Sequence, residues 1–295
     1  MEMILEKKVL DMQSENKDLL VAVYMITYNH EDFIAQAVES IMMQKTNFKY
    51  KLFIGEDCST DKTREICIVL EEKYTDKIEL VLQSKNIGPK KNAEKVFKEC
   101  FESGAKYIAI CEGDDYWIDP YKLQKQVDFL EKNKSYSMVC TNVENIDNLG
   151  FFKRKRFKFK NSFDIDAKYL IKNNHITTCT VMANSSILQL RTHVTINFAD
   201  KHMWLTLLEN GKCFYLNEIT ARYRMHDKGF YSGLKESSKS IKRIEDYKIY
   251  RKEFPSIYKT ITFQLYKYLL RGIISSLKNR NYKALKHLLK LVFFK

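Results

Sequence analysis

The chain has 295 residues, 45% hydrophobic and 29% charged, with only three prolines; this excludes a long disordered region and fits one large globular domain or two modest ones. The net charge of +13 is concentrated at one end, because residues 236–295 hold 15 Lys or Arg against 4 Asp or Glu while the first 235 residues are close to neutral. The longest uncharged run, Leu19 to His30, is too short to cross a bilayer, and Met1 to Lys8 lacks the apolar core of a signal peptide. The seven cysteines are scattered without a Cys-x-x-Cys pair, so neither a disulfide frame nor a zinc site is expected and a cytoplasmic location fits.

Leu19 to Ile26 is a continuous apolar run, the pattern of a strand buried on both faces. Glu31 to Gln44 carries Phe33, Ile34, Ala37, Val38 and Ile41 at helical spacing. Strand Lys51–Ile54, helix Asp61–Glu72, strand Ile78–Leu82, helix Asn92–Phe101 and strand Lys106–Cys111 follow. Asp119-Pro120 has the cap-then-proline form of a helix start, predicting a helix to Lys132, and Tyr136–Cys140 reads as the next strand. The alternation predicts an α/β fold with a mostly parallel sheet and helices on both faces. Lys153 to Lys160, a basic block with interleaved phenylalanines, reads as an exposed strand or loop, or as a contact for an anionic acceptor or membrane.

In such a sheet, ligands bind outside the carboxyl ends of the strands. Three of those ends are polar: Thr27-Tyr28-Asn29-His30, Glu56-Asp57-Cys58-Ser59-Thr60-Asp61, and Glu112-Gly113-Asp114-Asp115-Tyr116-Trp117. The carboxylates of Glu112, Asp114 and Asp115 repel one another, so the fold needs a cation there or a strongly solvated loop. Oxygen-only ligands would suit magnesium or manganese, partly through diphosphate oxygens. Gly113 would permit a tight turn or a close approach. The acidic loop by itself could also be a solvated turn, and Asp57 a helix cap.

With Asn86-Ile87-Gly88, Asp119-Pro120, Lys122-Leu123, Gln126 and the closing stretch Tyr223-Arg224-x-His226-x-x-Gly229-x-x-Ser232, these fragments stand in an order and spacing that resembles family 2 glycosyltransferases. The resemblance implies a GT-A fold, a Rossmann-like, mixed but mostly parallel sheet flanked by helices. It assigns nucleotide-sugar binding to Thr27, Tyr28, Asn29, Asp57, Asn86, Gly88, Glu112 and Asp114. Asp115 is implied as the direct metal ligand, with His226 a further metal or diphosphate contact. Asp200, in Ala199-Asp200-Lys201-His202-Met203-Trp204 ahead of an apolar helix, matches the catalytic base, although a helix cap is its alternative. His30, His175, His193, His202 and His287 form no ligand spacing.

The function so implied is inverting, divalent-metal-dependent (Mn or Mg) transfer of a hexose-type sugar from a nucleotide diphosphate donor, a UDP-sugar by preference. The acceptor expected is a saccharide hydroxyl, on a lipid-linked surface polysaccharide. Nucleotidyltransfer is the rival enzyme class, but Thr27-Tyr28-Asn29-His30 lacks its Gly-rich phosphate loop. The basic end leaves open a non-catalytic nucleic-acid-binding protein; an anionic membrane is the preferred partner, with no nucleic acid expected.

The domain division expected is a catalytic domain over residues 1–235 and a basic amphipathic helical segment over 236–295. At about 100° per residue, Leu265, Leu269, Ile273, Ile274 and Leu277 fall on one half of a helix and Lys267, Arg271 and Lys278 on the other. After Asn281, Leu285, Leu288, Leu289 and Val292 oppose Lys283, Lys286 and Lys290. This predicts two helices lying on the inner face of the cytoplasmic membrane, with back-packing on the catalytic domain as the alternative.

Overall fold

A computed structural model describes residues 19–189, 197, 199–226 and 234–293. Met1 to Lys8, His193, Gly229, Ser232, Phe294 and Lys295 lie outside the described residues. Strands β1 (Leu19–Thr27), β2 (Lys49–Glu56), β3 (Ile78–Leu82) and β4 (Tyr107–Ile110) lie parallel in the order β3-β2-β1-β4. Helices α1 (Ile34–Met42), α2 (Thr63–Lys73) and α3 (Pro89–Glu102) connect them. The lack of polar alternation in β1 has a direct cause. Val21, Val23 and Met25 pack on one face with Ile34, Val38 and Ile41 of α1 and Cys67 of α2. Ala22 and Tyr24 pack on the other with Val96, Phe97 and Cys100 of α3, the Tyr24 and Phe97 rings stacking 4.2 Å apart.

The second half of the sheet is mixed. It contains β5 (Tyr116–Trp117), β6 (Tyr136–Ile146), β7 (Phe152–Lys155), β8 (Phe163–Ile165), β9 (Met182–Asn184) and β10 (Lys212–Arg224), with the order β4-β9-β6-β10-β5. β10 runs parallel to β6, while β9 is antiparallel to both β4 and β6. The short antiparallel strands hold two to four residues and carry no legible periodicity. β6 runs past the expected end at Cys140 because its polar residues are buried in pairs: the Thr141 and Thr220 hydroxyls bond at 2.6 Å, and Asn142 Nδ2 donates to Phe157 O at 2.9 Å.

Helices α4 (Lys122–Lys132), α5 (Ala167–Asn173), α6 (Ser185–Leu188) and α7 (Ala199–Glu209) complete the region before β10, and α8 (Glu236–Glu253), α9 (Tyr258–Lys278) and α10 (Tyr282–Phe293) follow it. The expected boundary at residue 235 falls at the start of α8, but the core runs across it. Ile244, Tyr247 and Tyr250 of α8, Ile261 and Leu265 of α9 and Leu288 of α10 share one cluster with Trp204 of α7 and Ile108 of β4. Gly272 allows the three helices to approach, since a Cβ there would lie 2.9 Å from Ser240 Cβ and 3.0 Å from Leu288 Cδ1. The expected lipid-facing stripe is therefore corrected: Leu265 is buried, and Leu269 and Ile273 pack against the core. Among the described residues no helix is long and apolar enough to cross a membrane.

Lys122 and Gln126 act inside this core. The fully buried Lys122 ammonium lies 4.2 Å from the Trp117 ring centre and donates to Gln126 Oε1 at 2.7 Å, and Gln126 Nε2 donates to Thr180 O at 2.8 Å. The set ties α4 to the strand that follows the acidic loop. Burial pushes the Lys122 pKa down from 10.5 to about 8. Its folded pKa lies below its unfolded one, so the charged form is disfavoured in the native state and stability rises with pH between those two values. Comparing urea unfolding of the native chain with Lys122→Met from about pH 7 to about pH 9.5, the native chain should gain on the order of 1–2 kcal/mol over the variant. A pH-independent difference would contradict this account.

Candidate active site

The three polar strand ends meet in one cleft. Thr27, at the tip of β1, is buried, and its Oγ1 lies 3.2 Å from His30 Nδ1. Asn29 adopts φ 54°, a left-handed conformation that asparagine tolerates well. In that pose its backbone N–H donates to Ser59 Oγ at 3.0 Å and its Oδ1 accepts from Thr60 N at 2.9 Å, locking the loops after β1 and β2 together. Tyr28 stays exposed at the mouth. Asp57 is buried, and its carboxylate accepts from Ile87 N at 2.8 Å and Gly88 N at 2.9 Å. Asn86 Oδ1 also accepts from Gly88 N, at 3.1 Å, so Asp57, Asn86 and Gly88 form one unit beside the cleft. Beneath them the buried Glu56 carboxylate accepts from Ser59 N at 2.7 Å and pairs with Arg64.

The acidic loop after β4 divides its carboxylates between two tasks. Asp115 is 2% exposed, and its Oδ1 accepts from Arg224 N at 2.8 Å. Burial, then the charges of Asp114 and Glu112, hold its pKa well above the usual carboxylate range. Asp114 faces the cleft: its Oδ2 lies 2.9 Å from His226 Nε2 and 3.9 Å from His30 Nε2. Burial raises its pKa, but the His226 hydrogen bond and the His30 and His226 charges outweigh burial and hold it below normal. One ligand atom from each of His30, Asp114 and His226 can be chosen so that all lie within 4.8 Å of one another. Asp115, expected as the direct ligand, is bonded to the Arg224 backbone, and it is the neighbouring Asp114 that groups with His30 and His226. Glu112 is pushed up to about 8 by burial, then by the charges of Asp114 and Asp200.

Asp200 stands in the first turn of α7, where a helix N-terminus favours negative charge, and its Oδ1 accepts from Lys201 N at 2.7 Å. Its charge contributes to the raised pKa of Glu112. The residues around it are held by α8. Lys201 Nζ donates to Tyr247 Oη at 3.1 Å, His202 Nε2 lies 2.6 Å from Glu253 Oε2, and Asn197 N donates to Asp246 Oδ1 at 2.7 Å.

The model of the family described as Glycosyl transferase family 2 matches residues 22–190. The chain belongs to glycosyltransferase family 2. The Mycobacterium tuberculosis protein Rv1520 is 28% identical over 215 residues, 72% of this chain and 60% of its own length, so the chain spans less than two thirds of that relative. The Escherichia coli protein WfgD, named UDP-Glc:alpha-D-GlcNAc-diphosphoundecaprenol beta-1,3-glucosyltransferase, is 28% identical over 210 residues, 70% of this chain and 78% of its own. Among solved structures, S. aureus TarS 1–349 in complex with UDP-GlcNAc superposes with a TM-score of 0.67 at 15% identity, over 92% of this chain and 81% of that one. The fold is GT-A.

Two residues that reach the acidic loop were given no role by the sequence. His30 joins Asp114 and His226 only through the sheet, since β10 brings His226 to a residue 112 positions earlier. Its signal was its place at a polar strand end, not a ligand spacing. Arg224 is the second: its side chain donates to Asp114 O at 3.0 Å, Asn148 O at 2.9 Å and Gln36 Oε1 at 2.8 Å, with the guanidinium 4.5 Å from the Phe33 ring centre.

Gly113 packs tightly against the tip of β1. A Cβ there would lie 2.8 Å from Thr27 Oγ1 and 2.9 Å from Thr27 Cβ. Gly113→Ala must displace the tip of β1, so urea unfolding should show a loss of about 1–3 kcal/mol. Unchanged stability would show that the loop accommodates a methyl group there.

Proposed function

We propose that this chain transfers a hexose-type sugar, with inversion and with a divalent ion, from a UDP-sugar to a hydroxyl of a lipid-linked surface saccharide. The observation that carries the reading is the convergence of His30, Asp114 and His226. Two imidazoles and a carboxylate fit a first-row transition ion such as manganese better than magnesium, which prefers oxygen-only sets. When bound, such an ion supplies Lewis-acid neutralisation of charge on the leaving nucleoside diphosphate. His30, Asp114 and His226 are the residues that would hold it.

The remaining roles belong to the chain itself. Asp57 keeps acceptor capacity beyond its bonds to Ile87 and Gly88, enough to accept an N–H from a nucleotide base. Thr27 and Asn86 flank that position, and Glu112 lies beside Asp114. Asp200 takes the acceptor hydroxyl proton as the oxygen bonds to the anomeric carbon and the bond from that carbon to the diphosphate breaks. The UDP donor and lipid-linked acceptor are supported by the name of WfgD and by TarS, solved with UDP-GlcNAc. The basic surplus of residues 236–295 supports a peripheral seat on the inner face of the cytoplasmic membrane.

Incubating the purified chain with UDP-, GDP- and dTDP-sugars should release nucleoside diphosphate from a UDP-hexose in manganese and not in EDTA; equal release in EDTA would overturn the metal-dependent reading. Asp114→Asn should abolish manganese binding in calorimetry. Asp200→Asn should slow transfer by roughly two to four orders of magnitude while donor affinity barely changes. A loss of donor binding in that variant would remove Asp200 from the base role.

The raised pKa of Glu112, about 8, adds a pH test. A cation beside Asp114 favours loss of the Glu112 proton, so manganese should bind more tightly as pH rises from about 6.5 to about 8.5, with proton release. Affinity that is flat with pH, measured in buffers of different ionisation enthalpy, would contradict that coupling.

A further inference from the structure

Helix α9 buries one face and leaves a second apolar face outside. Ile261, Leu265 and Gly272 turn inward. On the opposite side Phe263, Tyr266, Leu270, Ile274 and Leu277 are each between 55% and 66% exposed. At about 100° per residue these five fall within an arc of roughly 80°, forming one continuous ridge about 21 Å long. Exposed Lys267, Arg271 and Lys278 border it. From Tyr258 to Phe293 the sequence holds eight Lys or Arg and no Asp or Glu.

We propose that this outer ridge of α9 is the surface that enters an anionic lipid interface, with its basic border on the headgroups. The proposal deepens the peripheral-membrane reading above by naming the surface, and it does not depend on catalysis. A contiguous exposed apolar strip on a folded helix calls for a partner. The charge pattern selects which one. A second copy of this chain would bring two wholly basic helix pairs together, whereas anionic headgroups complement both border and surroundings. The orientation also differs from a simple amphipathic tail: the ridge is presented by a helix whose other side is locked into the catalytic core, so docking fixes the enzyme's attitude to the membrane.

Cutting the chain before Tyr258 would not test this, because it removes Ile261, Leu265 and Leu288 from the core. Point changes on the exposed side leave the core intact. Full-length protein should cosediment with phosphatidylcholine vesicles containing one third phosphatidylglycerol and not with pure phosphatidylcholine. Leu270→Glu with Ile274→Glu should weaken that binding at least tenfold, and Lys267→Gln with Arg271→Gln and Lys278→Gln at least severalfold. Both native tryptophans, Trp117 and Trp204, are buried, so Leu270→Trp reports the ridge, and its emission should shift to the blue on anionic vesicles. Vesicle binding undiminished by the two glutamates, or no binding by the native protein at low salt, overturns the proposal. So does a native dimer that the glutamates dissociate, which would assign the ridge to a second copy. UDP release from soluble donor should be unchanged in both multiple variants. Its absence from the native protein would count against the transferase reading alone, since vesicle binding is read separately.

Discussion

The site depends on how the fold accommodates three carboxylates within four residues at the end of β4. Unopposed, Glu112, Asp114 and Asp115 would force the loop into solvent or keep each other protonated. β10 answers most of this repulsion. Its last residue, Arg224, gives Asp115 a backbone N–H and binds the Asp114 carbonyl through its guanidinium, and His226, just beyond, reaches the Asp114 carboxylate. The loop is therefore held at the sheet edge with one carboxylate turned down into structure and another turned up into the cleft. This requires a strand from far along the chain to run beside the loop, and the mixed second half of the sheet delivers it: β10 lies between β6 and β5.

The same logic explains what was legible in the sequence. The parallel half announced itself because strands buried on both faces must be apolar throughout, and the helices between them show their inner faces at helical spacing. The polar strand ends were legible for the converse reason, since polar clusters stand out directly after apolar strands, at the sheet end where ligands bind. Division of labour within a cluster was not legible. Asp114 and Asp115 are adjacent and chemically identical, and only the register that sets Arg224 N against Asp115 decides which of them reaches the cleft. His30 was opaque for a related reason, because its partners arrive by sheet pairing rather than along one element. β5, β7, β8 and β9 are too short for any period to show.

Helix α8 shows how a segment that looks like an appendage becomes part of the catalytic unit. Asp200 stands in the first turn of α7, and the flanking Asn197, Lys201 and His202 are fastened by Asp246, Tyr247 and Glu253 of α8. The charge change at residue 235 marked where the composition shifts, and it coincides with a new helix. It did not mark the end of the core, because buried tyrosines such as Tyr247 and Tyr250 do the packing and these count neither as charged nor as strongly apolar in a sequence profile.

The orientation of α9 follows from that arrangement. A helix with one apolar face points it inward, and periodicity alone identifies the face. α9 has two: an inner one through Ile261 and Leu265 that closes the core, and an outer one through Phe263, Leu270 and Leu277. Summed around the helix, two opposed faces partly cancel, so Ile274 and Leu277 were grouped with residues that in fact face the other way. An apolar outer face costs solubility in a protein with no surface to place it on, and a helix needs only one such face to fold against its domain. The second face, bordered by Lys267, Arg271 and Lys278 on a stretch without a single carboxylate, is therefore the part of α9 that folding does not explain and an anionic interface does.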